Sequence, residues 1–121
     1  MLWLLAACGE VPCVELDAAC APLYEPTWEN VHGNTVGPSC GQGVGCHSAE
    51  GAQSGLVFED IDGAYEAMVG GGLVIPGEPA CSEAMFRVTT REAGEAMPPG
   101  RPLSDAEACA IQQWIAAGAE R

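Results

Sequence analysis

The eight residues Cys40-Gly-Gln-Gly-Val-Gly-Cys46-His47 constrain this chain more than any other stretch. They set two thiols a short glycine-rich loop apart, with an imidazole directly after the second. In a C-x-x-C-H motif the same three groups attach haem: each thiol adds to a vinyl group, and the following histidine coordinates the iron. Here the spacer has five residues instead of two. Glycine within that spacer lets the backbone bulge away from a flat ligand, because a residue without Cβ accepts positive φ at no steric cost. A disulfide between Cys40 and Cys46 beside an ordinary surface histidine accounts for the same residues equally well. A zinc site on Cys40, Cys46 and His47 is weaker, because it lacks a fourth ligand and adjacent Cys and His chelate one tetrahedral ion poorly.

The rest of the composition asks for a staple. The chain has 121 residues, enough for one small domain, with 16 Gly, 9 Pro and only 6% aromatic residues. A chain so loop-rich and poor in large side chains is marginal unless crosslinks or a buried planar cofactor supply what the core lacks. Seven cysteines point to an oxidising compartment or to bound metal, and the odd number leaves at least one thiol with a separate fate. Net charge is −13, Lys is absent, and the only basic residues are Arg87, Arg91, Arg101 and Arg121. Phosphate contacts need clustered cations, so nucleic-acid binding is excluded. An acidic surface can steer a basic partner, though solubility alone also explains it.

The N-terminal Leu5-Ala6-Ala7-Cys8 resembles the lipobox of bacterial lipoproteins, in which the chain is cut before the cysteine and that cysteine is lipidated. On this reading residues 1–7 are a signal-peptide remnant, and Cys8 is a lipid anchor on the periplasmic or cell-surface side of a bacterial membrane. The apolar run is far shorter than the ~20 residues a spanning helix needs. Residues 8–26 hold Cys13, Cys20 and several acids and prolines without periodicity, and are expected to form a tether. Cys13 and Cys20 lie close enough in sequence to close a local loop.

Helix signals begin at Thr27, an N-cap after Pro26, with Glu29 in the first turn and Trp28, Val31 and Val36 on one face. Gly37-Pro38 is expected to end that helix just before Cys40. His32 lies on it and reads as a packing or surface histidine. Asp60 or Asp62 caps a second helix, with Ala64, Tyr65, Met68 and Val69 inward and Gly70-Gly71-Gly72 as its stop. A third short helix follows Pro79, with Ser82 as possible cap and Cys81, Met85 and Val88 on one face. Met97-Pro98-Pro99-Gly100 cannot be helical, because proline removes donors and pushes its predecessor to extended backbone. The thioether of Met97 sits in a loop without periodic apolar partners, which suits a ligand better than a core filler. Ser104-Asp-Ala-Glu107 is a full capping box opening the clearest helix, with Ala108, Ile111, Trp114 and Ile115 as its apolar stripe and Gly118 as its stop.

Taken in order, Pro38-Ser39-Cys40, Cys46-His47, Gly55-Leu56, Val74-Ile75-Pro76-Gly77, Met97-Pro98-Pro99-Gly100, Leu103-Ser104 and Trp114-Ile115 with Gly118-Ala119 resemble the cytochrome-c-like domain of planctomycete and myxobacterial surface proteins. The resemblance covers residues 27–121. It implies a small, loop-rich, all-α fold wrapped around one covalent haem c. Carried over by position, Cys40 and Cys46 would be the thioether cysteines, His47 the proximal iron ligand and Met97 the distal one. His/Met ligation raises the reduction potential. The resemblance further implies an electron carrier without bond chemistry of its own, other redox proteins as partners, and a macrocycle packed against Ile111, Trp114, Leu73 and Ile75. It says nothing about oligomeric state. With Cys8 lipidated and two cysteines on haem, four remain; they allow three pairings, of which Cys13 with Cys20 and Cys81 with Cys109 is the most local. The five-residue spacer keeps a rival in view, a disulfide-stapled cell-surface binding module of the same fold that has lost its haem.

Overall fold

Thr27 opens the first helix as the capping rule requires: its hydroxyl accepts from the Asn30 N–H at 3.2 Å, and α1 runs over Trp28–Val31. The computed structural model describes residues 11–41, 47 and 56–121; the regular structure among them is all helical, with no strand. α1 does not stop at Gly37-Pro38. It continues as a π-helical segment over His32–Cys40 with Pro38 inside it. The wider i→i+5 winding carries the chain past a proline that an α-helical interior would not accept. The Gly41 N–H closes it on the carbonyls of Val36 (2.9 Å) and Gly37 (3.1 Å).

α2 spans Ile61–Tyr65 behind Asp60, whose carboxylate accepts from the Gly63 N–H at 2.7 Å, and it too widens into a π-helical turn, Glu66–Gly70. After a 3₁₀ turn at Pro79–Cys81, α3 covers Glu83–Thr89. Ser82 stands at its N-terminus without capping it. The Ser82 hydroxyl instead donates to the Glu78 carbonyl and accepts from the Ile75 N–H, pinning the preceding loop. α4 runs Asp105–Ala116 behind the complete Ser104/Glu107 capping box. It closes with Gly118 N–H on the Ile115 carbonyl and Ala119 N–H on the Trp114 carbonyl, the paired bonds of a Schellman motif. Gly118 takes φ +117° there, a conformation that glycine adopts without strain.

An aromatic cluster locks these elements together. Trp28 stacks on Trp114 with centroids 4.9 Å apart, and Tyr65 meets Trp28 edge-on at 5.7 Å. Each polar tip is bonded: the Trp28 indole N–H to the Ile61 carbonyl, the Trp114 N–H to the Glu120 carbonyl, and the Tyr65 hydroxyl to the Ala119 carbonyl. Such pairs add about 0.5–1.5 kcal/mol each beyond the area they bury. No helix among the described residues is long and apolar enough to cross a membrane.

Residues 11–26, expected as a tether, lie along this helical body. Val14 N–H bonds to the Ala80 carbonyl and Leu23 N–H to the Ala106 carbonyl. The side-chain amides of Gln112 and Gln113 donate to the carbonyls of Asp17 and Cys20. Val14, Leu16 and Tyr24 pack on the core. This placement overturns the local disulfide pairing. Cys13 is joined to Cys81, and Cys20 to Cys109. The extended course of residues 11–26, held by the glutamine donors on α4 and by the three half-buried side chains, brings each cysteine beside a partner on the body.

Candidate haem site

Cys40 is the last residue of the π-helical segment, and the chain turns at Gly41. A Cβ on Gly41 would lie 2.9 Å from both the carbonyl carbon and oxygen of Phe58, so only glycine lets the two backbones approach this closely. The meeting point also holds His47. Its N–H donates to the Cys40 carbonyl at 2.9 Å, its own carbonyl accepts from the Phe58 N–H, and its ring lies 4.6 Å from the Phe58 ring. His47 is buried, at 8% exposure.

Cys40 and His47 form part of the wall of a cavity of about 410 Å³. Leu56 and Phe58 continue that wall, Met68 and Leu73 come from the π-helical turn after α2 and the loop that follows, Ala84, Arg87 and Val88 from α3, and Ile111 from α4. Met97 completes it from the proline loop. Its N–H donates to the Arg87 carbonyl at 2.7 Å, which fastens the loop to α3, and its peptide bond to Pro98 is cis. The cavity thus brings together three of the four residues expected around a cofactor: Cys40, His47 and Met97. Cys46 lies outside the described residues, as does Cys8.

Two expected wall residues are elsewhere. Trp114 is committed to the aromatic cluster with Trp28, and Ile75 is 39% exposed. The loop geometry explains Ile75: the neighbouring Val74 takes the inward position at 1% exposure and its own N–H bonds to the Met68 carbonyl, so the adjacent side chain points outward. Met85 is wholly buried in the core and does not reach the cavity; Met68 is buried and does. Sequence reasoning missed Val36, Phe58 and the Glu83–Arg87 pair as wall residues. The pair carried a legible signal, opposite charges four residues apart on a helix. The Arg87 guanidinium donates to Glu83 at 3.1 and 3.2 Å and to the Glu95 carbonyl at 3.4 Å.

These walls suit a large, flat, mostly apolar ligand. The volume lies within the range of about 300–1,000 Å³ common for small-molecule sites, and the lining is aliphatic and aromatic with few polar groups. An imidazole and a thioether, one nitrogen and one soft sulfur donor, line the same space, and Cys40 lines it with them. An imidazole with a thioether is a donor pair of the kind that holds haem iron; among the described residues no group of three or more His, Cys, Asp or Glu is placed to hold a metal ion.

Residues 44–100 match the family model described as Planctomycete cytochrome C. No curated protein and no solved structure matches the chain.

Proposed function

From a planctomycete-type cytochrome-c-like domain, supported over residues 44–100, we propose that this protein carries single electrons on one covalent haem c. The observation that carries the reading is the convergence of Cys40, His47 and Met97 on one apolar cavity. Cys40 and Cys46 would hold the macrocycle by thioether bonds, and His47 and Met97 would bind its iron. Haem supplies the chemistry, an iron that alternates between ferrous and ferric states. The chain supplies the rest. Val36, Phe58, Leu73, Val88 and Ile111 exclude water from the site, and the Met97 thioether is a soft donor that favours the ferrous state. The Glu83–Arg87 pair spares the cavity an isolated charge, since each group offsets the other. The partners would be other redox proteins, and a net charge of −13 favours those with a basic docking face. Redox titration of protein matured with haem-attachment machinery tests the reading: a reversible one-electron transition is expected, and a chain that takes haem yet does not cycle contradicts it.

Anchoring belongs to the same proposal. Cys8 would carry lipid and hold the domain at the periplasmic or cell surface. Cys8→Ala, expressed behind a complete lipoprotein signal, should move the protein from the membrane to the soluble fraction; unchanged partition refutes the anchor.

The five-residue spacer favours one rival, a disulfide-stapled binding module of this fold without haem. The bridges Cys13–Cys81 and Cys20–Cys109 would hold such a module together.

A further inference from the structure

We propose that His32 is a positioning residue: acting through Phe58, it sets where the His47 ring stands. The inference rests on the reading of His47 as iron ligand, and it concerns a residue that is itself absent from the cavity wall. His32 Nε2 lies 2.9 Å from the Phe58 carbonyl oxygen. A carbonyl only accepts, so Nε2 carries the proton and donates it. The imidazole is confined on two sides. Its ring lies 5.5 Å from the Trp28 ring. On the other side it fills the notch left by Gly37, where a Cβ would come within 3.3 Å of Cε1 and 3.0 Å of the His32 carbonyl oxygen. A donor held this firmly fixes the carbonyl it bonds.

Phe58 passes that constraint on. Its carbonyl is tied to His32, its N–H donates to the His47 carbonyl, and its ring packs against the His47 imidazole. One buried residue therefore joins the first helix to the proposed ligand, by backbone on one side and by backbone and ring on the other. Groups that orient a metal ligand without touching the metal tune its affinity and electronics. If His32 merely satisfied a buried carbonyl, replacing it would weaken the fold and leave the His47 ring where it is.

The test uses the full chain and two variants. His32→Phe keeps a ring beside Trp28 and removes the donor; His32→Gln keeps an N–H donor. In haem-free protein, NMR resonances of the His47 ring hydrogens report its placement against the Phe58 ring. These resonances should shift in His32→Phe and hold their positions in His32→Gln. In haem-loaded protein, the low-spin EPR g-values, which report the orientation of an axial imidazole, should change in His32→Phe alone. Unmoved His47 resonances in a folded His32→Phe variant overturn the proposal. If that variant does not fold, His32→Ala, which also removes the donor, is read in the same way: shifted His47 ring resonances support the role, and unmoved resonances, or a proton on Nδ1 of His32 in the unsubstituted protein, overturn it. Failure to take up haem would overturn the functional reading of His47, while the haem-free NMR comparison still decides the role of His32.

Discussion

Loss of the Cys20–Cys109 bridge should cost most of what a single crosslink can contribute, and the crossed pairing sets the amount. With Cys13–Cys81 intact, Cys20–Cys109 closes a circuit through the seven residue steps from Cys13 to Cys20 and the 28 from Cys81 to Cys109, about 35 in all. The chain-entropy relation assigns about 4 kcal/mol to a loop of that size. Removing both bridges opens the 68-residue separation of Cys13–Cys81 as well and costs about 4 kcal/mol more. Together that approaches the whole stability of an ordinary domain, about 5–15 kcal/mol. The assay is urea unfolding of the Cys20→Ala/Cys109→Ala protein against the unsubstituted chain, both in the same haem state, because a bound ligand adds its own stabilisation. With a urea slope near ~1.5 kcal/mol per molar, the midpoint should fall by about 2–3 M. A fall under about 0.5 M would refute the reasoning. So would a disulfide map of native protein: a glutamate-specific protease cutting after Glu15, Glu66, Glu83 and Glu107 puts the four cysteines on four peptides. Joining 11–15 to 16–29 would restore the local pairing.

In haem-loaded protein, Met97→Ala should abolish the weak far-red band of thioether-to-ferric ligation, open the iron to added ligands and lower the potential. Met85→Ala should keep that band and cost about 2–5 kcal/mol of stability, as emptying a fully buried methionine site does; the reverse pattern in optical spectra and unfolding curves would move the axial assignment to Met85. Burial holds the Tyr24 hydroxyl above the ordinary tyrosine pKa, with Glu107 adding to the rise and the bond to Thr35 opposing it. The folded chain therefore keeps a proton that the unfolded chain releases, so stability is unaffected below about pH 10 and declines as pH rises through the folded value. Tyr24→Phe should flatten that alkaline decline in pH-dependent unfolding curves, and an unchanged slope would remove Tyr24 as its cause.

The sequence disclosed its local instructions well. The capping box at Ser104, the caps at Thr27 and Asp60 and the stop at Gly118 each depend on a few adjacent residues, and the structure forms all four. Met97 was separable from Met85 by the same local logic, since one stands in a proline loop and the other on an apolar helix face. What failed depends on distance along the chain. Four cysteines carry no record of their partners, and only the course of residues 11–26 along α4, set by the Gln112 and Gln113 donors, decides the pairing. Pro38 reads as a helix end because proline excludes α-helical winding, yet a π-helical segment carries it. Trp114 and Ile75 were expected at the cavity wall from the resemblance; tertiary neighbours assign one to an aromatic cluster and leave the other exposed. His32 had no periodic partner to announce it, because its bond reaches 26 residues onward to Phe58.

The central claim is that this cavity holds haem covalently. The most direct test is the reduced pyridine haemochrome spectrum of the full chain matured with haem-attachment machinery, taken after acid extraction of any non-covalent haem. The account predicts one haem per chain, retained through extraction and lost when Cys40 and Cys46 are both replaced by alanine. A chain that emerges without haem, with Cys40 and Cys46 joined to each other, would contradict it.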